Sequence, residues 1–183
     1  ESGRLKDMDE LVAIVDPEGT VVGSALRSVV RRDNLRHAAT AVLVRNSAGQ
    51  IYVHLRAATK DWAPSHHDAA AGGTLRFGED PAQSAVREVA EELGIQAAGL
   101  RSLGLSAYDD DTTRVVEHVF ETTWDGQVRF AGGEVVSGQW LTLAELGARL
   151  ADPEWRFVPD TRQLLAGLVA RGVGDYADLG WGA

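Results

Sequence analysis

Apolar runs and turn signals divide this chain into short stretches of two different periods. LVAIVD (11–16) and TVVGSA (20–25) flank the triplet PEG, and β-branched runs on either side of a Pro-Gly turn predict a hairpin. HAATAVLVRN (37–46) and IYVHLRA (51–57), joined by SAGQ, repeat the pattern and predict a second hairpin. DAAAGGTL (68–75) reads as a buried strand, although Ala and Gly give it little intrinsic preference. The period then changes. Ala82, Ala85, Val86, Val89, Ala90 and Leu93 recur at helical spacing and predict an apolar stripe packed on a sheet. Asp80 suits the N-cap, Pro81 the first helical position, Gln83 the third position of a capping box, and Gly94 the left-handed C′ position. On this reading Glu88, Glu91 and Glu92 face away from the core. Beyond the helix, 100–108, 114–124 and 134–141 read as strands, and 144–150 and 161–170 as helices.

Composition narrows what such a chain does. With 183 residues, 44% of them hydrophobic, one compact α/β domain over 10–183 is expected, preceded by a flexible segment at 1–9. There is no cysteine, which excludes disulfides and thiolate chemistry and is compatible with a cytoplasmic setting. The net charge of −9 and the scattered Lys and Arg exclude a basic stripe, so no nucleic acid polymer is expected as a partner. No apolar run approaches the roughly 20 residues of a membrane span, and ESGRLKDMDE lacks the pattern of a signal peptide. A soluble protein is expected.

The unusual feature is the acidic helix face. Residues three and four apart are helical neighbours, so Glu88, Glu91 and Glu92 repel one another across successive turns. At an effective dielectric near 20, two unit charges about 4 Å apart repel by roughly 4 kcal/mol, and solvation of an open face dilutes much of that. A wet helix face with Arg87 as counter-ion is the plain explanation. A Gly-Gly turn before the helix and Glu79 beside its N-cap add oxygen donors, and such a set suits Mg²⁺ or Mn²⁺ together with substrate phosphate.

The stretch from Gly73 to Ile95 resembles the signature of the Nudix hydrolase superfamily. It has a glycine, five residues, Glu79, seven residues, Arg87-Glu88, Val89, Ala90, Glu91-Glu92, Leu93, Gly94 and Ile95, with every specified position filled. The resemblance implies an α/β/α sandwich with a mixed β-sheet and, here, an N-terminal β-hairpin. It implies that Glu88, Glu91 and Glu92 bind metal and carry catalysis, with the Gly73 carbonyl contributing. Glu79 and Arg87 match the pair that orients those carboxylates. The implied reaction is hydrolysis of a diphosphate linkage in a small molecule, such as a nucleoside di- or triphosphate or derivative. The general base stays open among the helix glutamates, Glu117, Glu121 and Glu134, with Glu117 the candidate for an additional metal-binding carboxylate and an exposed strand residue as its alternative. Dimers are common in the family, so a homodimer is compatible.

A narrower resemblance lies upstream. HLRAATKDWAP (54–64) is similar to the branch near isopentenyl-diphosphate isomerase, whose diphosphate-gripping pair Arg56 and Lys60 match. The isomerases' catalytic cysteine falls at or near Ala71, and their following metal-binding histidine falls at Gly73. Hydrolysis is therefore favoured over allylic isomerisation. A non-catalytic ligand-binding domain is the other alternative, and the complete glutamate set speaks against it. His66 and His67 read more readily as polar surface than as ligands, His37 is off register by one, and Trp62, Trp124, Trp140 and Trp155 are not separable as stacking platforms.

Overall fold

A computed structural model describes residues 10–182, so the expected flexible segment 1–9 lies outside the described residues. The first hairpin forms as expected: β1 (Leu11–Val15) pairs antiparallel with β2 (Val21–Leu26), Leu11 opposite Leu26. Asp16 closes its turn, accepting the backbone N–H groups of Glu18 and Thr20 through Oδ1. A helix absent from the sequence reading follows, α1 (Arg27–Asp33), ended by Asn34 in the left-handed region at φ 49°.

The expected second hairpin largely opens. Strand β3 (Arg36–Arg45) meets β4 (Ile51–Arg56) only at Arg45 and Ile51. From there β3 pairs in parallel with all ten residues of β8 (Arg114–Thr123), whereas β4 pairs with β9 (Val135–Leu141). Two very short strands, β5 (His67–Asp68) and β6 (Ala70–Ala71), replace the single strand expected over 68–75; β5 joins β4 and β6 joins β3. Strand β7 (Arg101–Asp109) completes the sheet against β8. The splay between β3 and β4 creates the gap in which the cleft lies.

Both faces of β3 are covered, which explains its near-continuous apolar run. Val42 and Val44 pack with Ala85, Val89 and Leu93 of α2 (Pro81–Leu93), while Ala41 and Leu43 face Leu146 of α3 (Leu143–Leu150) and Leu164 of α4 (Pro159–Ala170). A 3-10 turn at Tyr176–Leu179 seals that second core, with Gly147 passing so close to the Leu179 carbonyl that a side chain there has no room. The result is the expected α/β/α sandwich on a mixed sheet. Among the described residues no helix is long and apolar enough to cross a membrane.

Candidate active site

Helix α2 begins and ends where its caps predict. The Asp80 side chain accepts the Gln83 N–H, and Gly94 turns left-handed at φ 66° with its N–H on Ala90 O. Its rotation about its own axis differs from expectation. Val86 is 42% exposed, and the buried face runs through Ser84, Ala85, Val89, Glu92 and Leu93. The carboxylates therefore do not face away from the core: Glu92 is only 8% exposed, the Glu88 side chain 14%, and Glu91 alone stands in solvent. The small residues of 69–73 cause this, because they let a strand backbone run beneath the helix.

Gly73 shows how close that approach is. A Cβ there would lie 2.8 Å from Glu88 Oε1, so the glycine supplies the space occupied by the Glu88 carboxylate. Its carbonyl accepts the Thr40 N–H at 2.9 Å, which leaves one lone pair. At Gly72 a Cβ would fall 1.8 Å from the Thr40 carbonyl oxygen, an approach only glycine permits.

Arg87 joins the acidic groups. Its Nε and Nη2 each donate to Glu79 at 3.1 Å in a fork, and Nη1 reaches Glu88 at 2.8 Å and Glu91 at 3.5 Å. Glu92 receives no such contact. Burial, above all, pushes its carboxyl up to about 8, with Lys60 opposing and Glu88 and Glu134 adding repulsion. Among the described residues no three His, Asp or Glu side chains are drawn together as a ready-made metal cage. An all-oxygen donor set around buried Glu92, where Glu88 and Glu134 add repulsion, fits a hard divalent cation.

Arg87, Glu88, Glu91, Glu92 and the two glycines open on one cleft of about 940 Å³, counted to its solvent-open mouth. Arg56 and Lys60 line it, but both are already engaged. Arg56 donates to the carbonyls of Trp62 and Ala63 and lies over the Trp62 ring, and Lys60 pairs with Glu134 at 3.1 Å. Trp62 is the tryptophan that reaches the cleft; His66 and His67 are not on its wall, and His67 stacks on Trp155. Glu121 is taken up by Arg101 and the Tyr176 hydroxyl.

Glu117 is not an exposed strand residue. It is 4% exposed, lines the cleft floor, and its Oε1 has no hydrogen-bond partner. Asp68 and Asp160 stand near it; together with burial, the stronger cause, they push the Glu117 carboxyl well up. Asp68 accepts from Thr161 Oγ1 at 2.7 Å and from the Ala70 N–H at 2.9 Å. Sequence reading missed Asp68 and Asp160, since the one signal is a carboxylate beside an apolar run, and nothing local says that three such runs converge.

The fold is an α/β/α sandwich with an acidic cleft on its sheet, and comparison with known proteins gives its family. A NUDIX domain model matches residues 35–165, and the chain belongs to the Nudix hydrolase family. It is 42% identical over 172 residues to an uncharacterized Nudix hydrolase of Rhodococcus erythropolis, covering 88% of this chain and 93% of that one. An Escherichia coli K12 protein named as the uncharacterized Nudix hydrolase YfcD is 36% identical over 157 residues, covering 86% and 85%. The crystal structure of DR0079 from Deinococcus radiodurans superposes with TM-score 0.71 at 27% identity, over 90% of this chain and all of that one. A MutT protein from Methanosarcina mazei shares the fold at TM-score 0.65 and 18% identity, over 76% and 96%.

Proposed function

We infer that this Nudix hydrolase is Mg²⁺- or Mn²⁺-dependent and cleaves a diphosphate linkage in a small molecule, with nucleoside di- and triphosphates and their derivatives as the leading class. The observation that carries the reading is Glu92, a buried carboxyl with no cationic fork of its own, set beside Glu88 over the glycine cradle. Glu88, Glu91 and Glu92 hold the cation, and Glu117 offers a further oxygen from the floor. When bound, the cation neutralises phosphate charge and acidifies the attacking water. Arg87, itself held by Glu79, keeps Glu88 aimed. Lys60 leaves Glu134 to meet a substrate phosphate, and Glu134 is then the carboxylate placed to take a proton.

The absence of cysteine from the whole chain removes the thiol that allylic isomerisation uses in the resembling branch. A phosphate-release screen over nucleoside di- and triphosphates, sugar nucleotides, dinucleotides and isoprenoid diphosphates, with each cation, tests the reading. Release from at least one class, abolished by chelator, is expected; silence across all of them would leave a binding domain.

A further inference from the structure

Helix α1 lies outside the Nudix signature, yet it turns two arginines to the cleft. Arg27 and Arg31 are one turn apart and both line the wall, with side chains 16% and 24% exposed. Their acidic neighbour is Asp61, an exposed rim residue that is not part of that wall. Arg27 Nη2 stands 3.3 Å from both Asp61 oxygens, and Arg31 Nε 3.5 Å from Oδ2. Charge-assisted bonds close to about 2.7–2.9 Å when well formed, so these contacts are loose. Arg31 Nε is buried without a hydrogen bond, and Arg27 Nη1 has only a 3.4 Å contact to Thr74 Oγ1. Two guanidiniums facing one carboxylate leave a net positive charge and unused donors at the cleft. Arg56, by contrast, has committed its Nε and Nη2 to loop carbonyls.

We propose that Arg27 and Arg31 form a subsite for the terminal phosphate of a diphosphate-bearing substrate, and that Asp61 on the rim competes with that phosphate for their donors. The proposal rests on the diphosphate reading above and adds the residues that select for it. Thr74, touched by Arg27, directly follows Gly73, against which the Glu88 carboxylate lies. The subsite is thus beside the helix glutamates, and a phosphate held there extends its diphosphate toward them. Guanidinium forks match phosphate oxygens better than a point charge does, which suits two arginines to an end group.

The test is calorimetric titration of the full chain with inorganic pyrophosphate in chelator, where neither metal nor turnover contributes. Arg27→Gln and Arg31→Gln are each expected to weaken binding about tenfold, the loss of one charge-assisted contact. Asp61→Asn is expected to tighten it about threefold or more, by removing a like charge, a gain that a misfolded protein cannot give. Unchanged affinity in both arginine variants would overturn the subsite, and weaker binding in Asp61→Asn would overturn the competition. Malonate serves as the carboxylate probe; binding as tight as pyrophosphate would overturn the phosphate assignment. A chain that behaved as expected here yet released phosphate from no substrate would keep the subsite and refute the hydrolase reading alone.

Discussion

At the cleft mouth Arg87 forks onto Glu79 and reaches Glu88 and Glu91, whereas on the floor Asp68, Asp160 and Glu117 have no cation so placed. The floor group is held by the Thr161 hydroxyl and a backbone N–H, with Arg56 acting on Asp68 and Asp160 through space. Carboxyls without a counter-charge avoid the cost of a buried anion by keeping their protons. The same residue type therefore serves two ends in one cavity. The mouth gathers its carboxyls around Arg87, whereas the floor, with no such cation, has all three of its carboxyls shifted upward. Glu92 belongs to the mouth by position but resembles the floor in burial, which makes it the most informative residue of the set.

The sharpest way to break the contrast is Glu92→Gln. If Glu92 holds a cation, the substitution removes several kcal/mol of transition-state stabilisation, a loss of about 10²–10³-fold in kcat. Manganese uptake followed by calorimetry should weaken in parallel. In chelator the same change removes a buried carboxyl with unfavourable neighbours, so Tm should hold or rise. Retained turnover, or loss of activity with a collapsed circular dichroism spectrum, would take Glu92 out of the mouth group.

Neighbouring glycines separate fold from site in the same way. Gly72→Ala sets a methyl 1.8 Å from the Thr40 carbonyl oxygen, a rigid backbone atom, and should destabilise by about 3 kcal/mol or more. Gly73→Ala meets the movable Glu88 carboxylate instead, 2.8 Å away. It should fold with a small change in Tm but lose about tenfold in kcat, as displaced metal-site geometry does. Denaturant melts paired with kinetics read both. Equal stability losses in the two variants would erase the distinction.

Much of this site was legible in the sequence, and the illegible part has a common cause. Both caps of α2 are local chemistry, so Asp80 and Gly94 mark its ends correctly, and the resemblance to the family signature pairs Glu79 with Arg87, which form a fork. The helix's rotation was misjudged because Ala82 and Val86 look like core, while the small residues that admit Glu88 and Glu92 lie on another element. Helix α1 carries no periodic signal, since RSVVRRD is short and its valines favour strands. The second hairpin opens because β3 finds ten partners in β8, nearly eighty residues downstream, which no turn between 46 and 50 announces. The floor group draws on β5, β8 and α4, and only the folded chain brings those together.

The protonated floor can be tested through stability. Burial raises Asp160 to about 7, with Asp68 adding to it. A folded value above the unfolded one means that the native state holds the proton longer. Stability from this group is then full below the ordinary carboxylate range near 4 and is lost as pH rises through about 7. Asp160→Asn keeps an acceptor for the Thr161 N–H but cannot ionise. It should raise Tm at pH 8.5, by the equivalent of about 1–2 kcal/mol, and change it little at pH 5. The same shift at both values would mean that the floor is charged like the mouth.

Arg56 and Lys60 also line the cleft and both draw the Glu92 carboxyl downward, and here the expected effect is smallest. Lys60 already has Glu134 as a partner, so a substrate phosphate gains only the difference between two ion pairs. Lys60→Ala should therefore raise KM by about threefold to tenfold with kcat nearly kept, the pattern of a contact equally strong in the ground and transition states. It also frees Glu134, whose charge then adds to the mouth. If kcat fell instead while KM held, Lys60 would be stabilising charge that develops on the reacting phosphate itself.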